Sequence, residues 1–233
     1  MRGGFFDGHA ERYDRARPGY PEALVDDVLA FAGLAPGERA LEIGCGTGQA
    51  TEAFAARGLP MLCLEPGPRL AARARTRLAP HTAVEVAEAT FEDWPLEAEG
   101  FGLVLAARSL HWVAPRARYR KTARALRPGG VLAAFGSAVV EHDLPRDVLP
   151  RPPAPPRSEE PFDGRHFGET VRRVYAWTRA YNADADADLL ATRSRYRDVP
   201  PAELERVRET IEARGGTVLV PFETRLRMAR RLP

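Results

Sequence analysis

Cysteine, lysine and extended apolar segments are all scarce in this chain of 233 residues. Two cysteines, Cys45 and Cys63, are too few for the disulfide framework of a small secreted protein, so buried reduced thiols are expected. No apolar segment approaches the ~18 residues that a membrane helix requires, and residues 1–6 do not look like a signal peptide. Lys121 is the only lysine, and no G-x-x-x-x-G-K-[ST] loop occurs. These absences predict a cytoplasmic protein that does not contact a membrane.

Net charge is equally modest, because 34 basic residues face 32 acidic ones and leave a formal charge of +2. The densest basic run, Arg69 to Arg77, has the spacing of a solvated helix face. Nucleic-acid binding requires a concentrated basic surface, so no nucleic-acid partner is predicted. The histidines show no metal-ligand spacing with one another or with cysteine, and no metal site is predicted.

The most informative segment runs from Leu41 to Gly48 and reads E-x-G-x-G-x-G from Glu42 onward. Glycine lets a backbone approach a bulky ligand that any Cβ would meet. Glu65 follows on the next predicted strand, where a carboxylate suits a pair of ribose hydroxyls. The spacing differs from the G-x-G-x-x-G dinucleotide fingerprint. The segment therefore predicts a site for an adenosine-containing cofactor.

Strand and helix patterns alternate through the first 140 residues, which is typical of a parallel α/β sheet. The predicted strands are Arg39–Ile43, Pro60–Glu65, Thr82–Ala87, Gly102–Ala107, Val131–Phe135, Val171–Trp177 and Thr217–Met228. The predicted helices are 21–33, Gln49–Arg57, Arg69–Leu78, Arg116–Leu126, an acidic helix from Ala183 and Pro201–Ala213. Arg127–Gly130 is predicted to be a turn, and Leu149–Pro161, with six prolines, a loop.

Further motifs fall in register with the glycine segment. They are YDRARPGYP (Tyr13–Pro21), LEPG (Leu64–Gly67), TFEDW (Thr90–Trp94), AARSLHW (Ala106–Trp112) and LRPGG (Leu126–Gly130). With Leu41–Thr51, these motifs resemble class I S-adenosylmethionine-dependent methyltransferases, most closely a small bacterial branch (methyltransferase type 11) related to trans-aconitate methyltransferases. One departure is Gly102, where that family usually has a mainly structural Asp.

The resemblance implies a Rossmann-like class I methyltransferase fold. Its sheet would have seven mostly parallel strands with an antiparallel last strand, and helices on both faces. We expect a single domain over 1–233, with an N-terminal lid and first helix in 1–34 and a cofactor-binding core in 35–140. Residues 141–233 would hold the proline-rich loop, the cap helices and the last two strands.

S-adenosylmethionine is the cofactor that the resemblance implies, with S-adenosylhomocysteine as the product. Glu65 would hold the ribose, the Phe91–Glu92 pair the adenine, and Arg17 the methionine carboxylate. The residues expected to contact the cofactor are Tyr13, Arg17, Glu42, Gly44, Cys45, Gly46, Thr47, Gly48, Glu65, Pro66, Phe91, Glu92, Ala106 and Ala107.

His111 is the predicted catalytic residue, because a histidine that titrates near neutrality can take a proton from a hydroxyl or amine nucleophile. Packing at the start of the next helix is the alternative role for His111 and Trp112. Aromatic residues from distant parts of the chain are expected to line the acceptor pocket, namely Tyr20, Trp112, Trp177 and Tyr181.

The predicted function is methyl transfer to a small-molecule acceptor by a monomer or homodimer. A nucleic-acid or protein methyltransferase is one alternative. However, Ala106–Ser109 replaces the [DN]-P-P-[FYW] motif usual in enzymes that methylate nucleic-acid amino groups. A non-catalytic S-adenosylmethionine-binding protein or another Rossmann enzyme is the other alternative, and the identity of the acceptor is left open.

Overall fold

A computed structural model describes residues 7–8, 10–140, 144, 161–192 and 199–233, without the side chains of Ala10 and Tyr13. Except for Pro161, the predicted loop Leu149–Pro161 lies outside the described residues.

Seven strands form one sheet in the order β3-β2-β1-β4-β5-β7-β6. They are β1 (Ala40–Ile43), β2 (Met61–Leu64), β3 (Val84–Ala87), β4 (Phe101–Ala107), β5 (Leu126–Val139), β6 (Val171–Asn182) and β7 (Thr217–Arg230). Pairing among β1 to β5 is parallel, whereas β7 runs antiparallel to both β5 and β6. The predicted mostly parallel Rossmann-like sheet with an antiparallel last strand is confirmed.

The described helices follow the predicted order, except that α1 was not predicted as a helix. They are α1 (Ala10–Ala16), α2 (Glu22–Ala32), α3 (Gln49–Ala55), α4 (Pro68–Leu78), α5 (Pro115–Ala125), α6 (Ala183–Ala191) and α7 (Pro201–Ala213), with a 3₁₀ turn at Leu110–Trp112. Proline stands in the first turn of α4, α5 and α7, where a missing N–H costs no helical hydrogen bond. No helix among the described residues is long and apolar enough to cross a membrane.

The core has two layers, one on each face of the sheet. Successive side chains of β4 point alternately into one layer and the other. Leu103 and Leu105 pack with α2, α3 and α4, whereas Val104 and Ala106 face α5. All four side chains are almost fully buried. Helices on both faces therefore follow directly from a strand that is apolar on both sides.

Two segments differ from the sequence prediction. The predicted turn Arg127–Gly130 lies inside β5, where β4 residues Phe101 and Leu103 pair with Leu126 and Val131. The unequal spacing makes a bulge, and Gly129 (φ 71°) accommodates it. β6 extends to Asn182 rather than ending at Trp177, because it pairs with β7 along its whole length.

The extended β6–β7 ribbon carries a third apolar cluster, which packs against α1, α6 and α7. Leu189 and Leu190 of α6, Ile211 of α7 and Phe222 of β7 are buried there with Ala16 of α1. The N-terminal helix is thus attached to the C-terminal helices rather than to the sheet core alone. We call this contact the lid–cap interface.

Candidate cofactor-binding and active site

The glycine segment joins the end of β1 to the start of α3. Gly44, Gly46 and Gly48 all have positive φ, at 65°, 61° and 87°. A Cβ on Gly44 would lie 2.8 Å from the Ser109 Cβ, and one on Gly48 would lie 3.2 Å from the Leu78 side chain. A Cβ on Gly46 would meet nothing within 4 Å. Packing inside the protein therefore requires two of these glycines, and only the space at Gly46 is open to a ligand.

Glu65 ties this loop to the end of β2. Its Oε2 accepts a hydrogen bond from the Gly46 N–H at 2.9 Å, and its Oε1 accepts one from Gly67 at 2.8 Å. Burial raises the pKa of Glu65 above its usual range. Each carboxylate oxygen keeps a second lone pair that a ligand hydroxyl could use.

Two buried polar atoms beside the loop have no hydrogen-bond partner among the described residues: Glu42 Oε1 and Gln49 Nε2. The other oxygen of Glu42 accepts a hydrogen bond from the Thr51 hydroxyl at 2.6 Å. Burial raises the pKa of Glu42 to about 7. Unsatisfied buried polar atoms are costly, so this acceptor and this donor fit a polar ligand that would satisfy them.

The end of β4 also contacts the glycine segment, because the Ser109 hydroxyl donates to the Ile43 carbonyl. Ala106 and Ala107 precede this contact and pair with Ala134 and Phe135 of β5. The carboxyl ends of β1, β2 and β4 therefore meet at one edge of the sheet. We call this region, with Gly44–Gly48, Glu65 and Ser109, the cofactor edge.

The residues that follow β3 make contacts with other parts of the protein. Phe91 is buried, and its ring stacks on Trp94 with centroids 6.3 Å apart. The exposed Glu92 carboxylate accepts from the Ala114 N–H at 2.7 Å. This contact fixes the start of α5 relative to the end of β3, and the adenine contact of the Phe91–Glu92 pair stays a prediction.

His111 and Trp112 lie in the 3₁₀ turn that follows β4. Their rings are in contact with centroids 4.6 Å apart, and Trp112 is 48% exposed. Partial burial and the positive charges of Arg108 and Arg118 hold the pKa of His111 below its ordinary value. The imidazole is therefore neutral at neutral pH and able to accept a proton.

Other predicted contacts belong to the lid–cap interface. Arg17 is buried and donates to the Thr192 hydroxyl at 3.2 Å and to its carbonyl at 2.6 Å. The Tyr181 hydroxyl donates to the Ala16 carbonyl at 3.3 Å, and burial raises the pKa of Tyr181 to about 12. The side chain of Tyr13 lies outside the described residues.

The two remaining predicted pocket residues, Trp177 and Tyr20, pack on different strands of the sheet. Trp177 stacks on Phe222 with centroids 4.6 Å apart and donates to the Thr224 hydroxyl at 2.8 Å. Tyr20 packs edge-on against Phe135, at the carboxyl end of β5, with centroids 4.8 Å apart. Among His111 and the four predicted pocket residues, the described ring contacts join only His111 and Trp112 directly.

Two residues that contact the elements around the site, Arg77 and Asp7, were not predicted from the sequence to do so. Arg77, expected on a solvated face, donates to the Thr47 carbonyl at 3.0 Å and to Asp14 and Glu52 at 2.7 Å each. Asp7 accepts from two N–H groups at the start of α4. No local pattern marks either residue, because their partners are distant in the sequence.

Comparison with known proteins identifies the family to which the chain belongs. Residues 41–134 match the methyltransferase domain family. An uncharacterized methyltransferase of Mycobacterium tuberculosis is 33% identical over 227 residues, covering 91% of this chain and 89% of that protein. The trans-aconitate 2-methyltransferase of Methylobacterium nodulans is 32% identical, covering 90% of this chain and 76% of that protein. The chain belongs to the methyltransferase domain family.

Solved structures with lower identity share the fold. A protein of Anaeromyxobacter dehalogenans, provisionally assigned as a type II methyltransferase, superposes with a TM-score of 0.68 at 24% identity, covering 93% of this chain and 99% of that one. A phosphoethanolamine N-methyltransferase of Haemonchus contortus, solved with phosphomonomethylethanolamine and S-adenosylhomocysteine, gives a TM-score of 0.59 at 15% identity. The match covers all of this chain and 59% of that one.

Proposed function

We propose that this protein transfers a methyl group from S-adenosylmethionine to a small-molecule acceptor at the cofactor edge. The observation that carries the proposal is the pair of unsatisfied buried atoms, Glu42 Oε1 and Gln49 Nε2, beside the open space at Gly46. The family membership and the ligand of the Haemonchus enzyme support S-adenosylmethionine as the cofactor.

The residues of the cofactor edge fit this cofactor chemically. Glu65 would accept hydrogen bonds from the two ribose hydroxyls through its free lone pairs while it keeps its bonds to Gly46 and Gly67. Glu42 offers an acceptor and Gln49 a donor for the charged amino and carboxylate groups of the methionine part. The open space at Gly46 would admit the methionine part, and the N–H groups that begin α3 could donate to it.

When bound, S-adenosylmethionine supplies a methyl group that its sulfonium charge already activates. The chain must then hold the acceptor in line with that methyl group and exclude water. His111 follows β4 at the same edge, and as a neutral imidazole it would take the proton from an acceptor hydroxyl or amine. A carbon or sulfur nucleophile that needs no base would leave His111 a packing role.

A small acceptor is favoured by what surrounds the edge. Tyr20 covers the end of β5, and the segment that precedes it is attached to α6 through Arg17 and Thr192. The N-terminal segment is thus packed on the sheet beside the end of β4, because Phe135 pairs with Ala107. A small molecule enters such a site more easily than a folded protein or a duplex.

Binding and transfer can be tested separately. Calorimetry with S-adenosylmethionine, S-adenosylhomocysteine and NAD should give binding for the first two ligands only. Incubation of the protein with methyl-labelled S-adenosylmethionine and a metabolite extract below 1 kDa should then place label in a small product. Binding without any transfer to metabolite, protein or nucleic-acid fractions would instead support a non-catalytic binding protein.

A further inference from the structure

Arg108 has an unusual backbone conformation at the end of β4. Its φ is 61°, and Arg108 and Glu99 are the only residues other than glycine with positive φ in the described part of the chain. An L-residue in this region is strained, and such strain is concentrated at functional sites. The Arg108 N–H donates to the Phe135 carbonyl at 2.8 Å, which holds the strained conformation in place.

The neighbouring strand makes room for the Arg108 side chain. A Cβ on Gly136 of β5 would lie 2.8 Å from the Arg108 Cγ and 3.6 Å from its Cδ. Gly136 has an ordinary φ, so the absence of a side chain there serves the arginine stem rather than the backbone of β5. Two features of the fold therefore direct this side chain along the carboxyl edge of the sheet.

The guanidinium of Arg108 makes no side-chain hydrogen bond or ion pair with any residue that the structure describes, although the residue is half-buried. Other half-buried arginines nearby are satisfied. Arg77 binds Asp14 and Glu52, and Arg118 donates to the carbonyls of His111 and Val113. A guanidinium has five donors arranged as a planar fork that matches a carboxylate or a phosphate.

The position of this charge is close to the candidate base. Arg108 and His111 belong to the same short segment between β4 and α5, and the charge of Arg108 contributes to the lowered pKa of His111. Ser109, between them, hydrogen-bonds to the end of β1. An anionic group bound to Arg108 would thus lie next to the residue that accepts the proton.

We propose that Arg108 binds an oxyanion of the acceptor, a carboxylate or a phosphate, and so restricts methyl transfer to anionic small molecules. The inference rests on the proposed function, because it assigns the acceptor of the same site. Arg108 would determine specificity by touching the acceptor, whereas Glu65 and Glu42 would hold the cofactor.

The first experiment asks which metabolites accept the methyl group. A metabolite extract below 1 kDa is separated by anion exchange into retained and unretained fractions, and each is incubated with the protein and methyl-labelled S-adenosylmethionine. Label should enter the retained fraction. Prior phosphatase treatment abolishes that labelling for a phosphate monoester and preserves it for a carboxylate. Label only in the unretained fraction would overturn the assignment of Arg108. No label in any fraction, with S-adenosylhomocysteine still bound, would overturn the proposed function itself.

The second experiment uses variants on the purified labelled acceptor. Arg108→Gln should lower kcat/KM about 10- to 100-fold, mainly through KM, while the Kd for S-adenosylhomocysteine changes less than twofold. Arg108→Lys keeps the charge but not the fork, so its kcat/KM should lie between Arg108→Gln and the wild type. The matched control Arg120→Gln changes an exposed arginine of α5 and should act like the wild type.

Arg108→Gly separates binding from folding. Glycine adopts φ 61° without strain, so this variant should melt at or above the wild-type temperature while its kcat/KM falls as in Arg108→Gln. A fall in melting temperature with unchanged kcat/KM would make Arg108 a structural residue. A tenfold weaker affinity for S-adenosylhomocysteine would place Arg108 in the cofactor site. Either result would overturn the proposal.

Discussion

The cofactor edge and the lid–cap interface contain similar residue types but use them differently. At the cofactor edge, Glu42 Oε1 and Gln49 Nε2 are buried without partners among the described residues. At the lid–cap interface, Arg17 donates to Thr192, and Tyr181 donates to the Ala16 carbonyl. The first region has two buried polar atoms left for a ligand, whereas in the second Arg17 and Tyr181 use their polar groups to join the two ends of the chain.

This difference teaches which residues a ligand can bind with little rearrangement. A ligand at the cofactor edge gains hydrogen bonds that the protein alone does not make, so little existing structure has to be broken. A ligand that required Arg17 or Tyr181 would first have to separate α1 from α6. Substitutions at the edge should therefore change affinity more than stability, and those at the interface should do the reverse.

The largest loss of cofactor affinity is expected from a substitution at Gly46, and the same substitution at Gly44 is the comparison for stability. Gly46→Val should abolish S-adenosylmethionine binding, because its side chain would fill the open space that we assign to the cofactor. Its loss of stability should be about 1–2 kcal/mol, from the left-handed backbone alone. Gly44→Val adds a clash with Ser109 and should lose roughly 1–3 kcal/mol more. Calorimetry with S-adenosylhomocysteine and urea unfolding measure the two quantities.

His111 tests whether the same edge carries catalysis. If the acceptor is a hydroxyl or amine, His111→Ala should lower kcat by ~10²-fold with unchanged affinity for S-adenosylhomocysteine. The wild-type rate should fall as the pH drops through a pKa below the ordinary histidine value, because protonation removes the base. His81→Ala is the control at a site outside the edge. A pH-rate profile that is the same in His111→Ala and the wild type would return His111 to a packing role.

Glu65→Ala should weaken S-adenosylmethionine binding roughly 10- to 100-fold, because charged hydrogen bonds to both ribose hydroxyls would be lost. Glu65 also holds the Gly46 and Gly67 N–H groups, so unfolding has to be measured in parallel. Glu85→Ala changes an exposed glutamate of β3 and serves as the control. Wild-type affinity in the folded Glu65→Ala variant would contradict the assignment of this residue.

The sequence predicted the sheet well because its signals are local. Alternating apolar strands and helix stops give the order of elements, and E-x-G-x-G-x-G locates the turn after β1. The turn predicted at Arg127–Gly130 was wrong because Gly129 and Gly130 stand in a bulge whose pairing with β4 is not local. Glycine and proline indicate a break in regular structure, but only the partner strand decides between a turn and a bulge.

The candidate site was less predictable for a related reason. Residue type identifies Arg17, Trp177 and Tyr181 as groups that could bind a ligand, but it cannot show that they are already bonded to other parts of the chain. Arg108 gave no signal at all, since its positive φ depends on the contact with β5. Tertiary contacts decide which polar groups remain available.

Substitution of Arg17 is expected to change the affinity for S-adenosylhomocysteine least. It tests whether residues of the lid–cap interface act on stability rather than on binding. Arg17→Met should destabilise the protein by about 1–3 kcal/mol, because the Thr192 carbonyl and hydroxyl lose a charged donor in a buried place. For a chain of this length, that loss lowers the melting temperature by about 2–4 °C per kcal/mol. The Kd for S-adenosylhomocysteine should change less than threefold.

The matched control for Arg17 is Arg15→Met, at the exposed end of α1. Arg15 pairs with Asp188 at 3.1 Å, and an exposed ion pair contributes only about 0–1 kcal/mol. The sequence prediction that Arg17 binds the methionine carboxylate expects the opposite pattern, with affinity lowered at least about tenfold and stability little changed. Thermal unfolding and calorimetry on the same two variants distinguish the patterns. Tenfold weaker binding in Arg17→Met alone would move this arginine from the lid–cap interface to the cofactor edge.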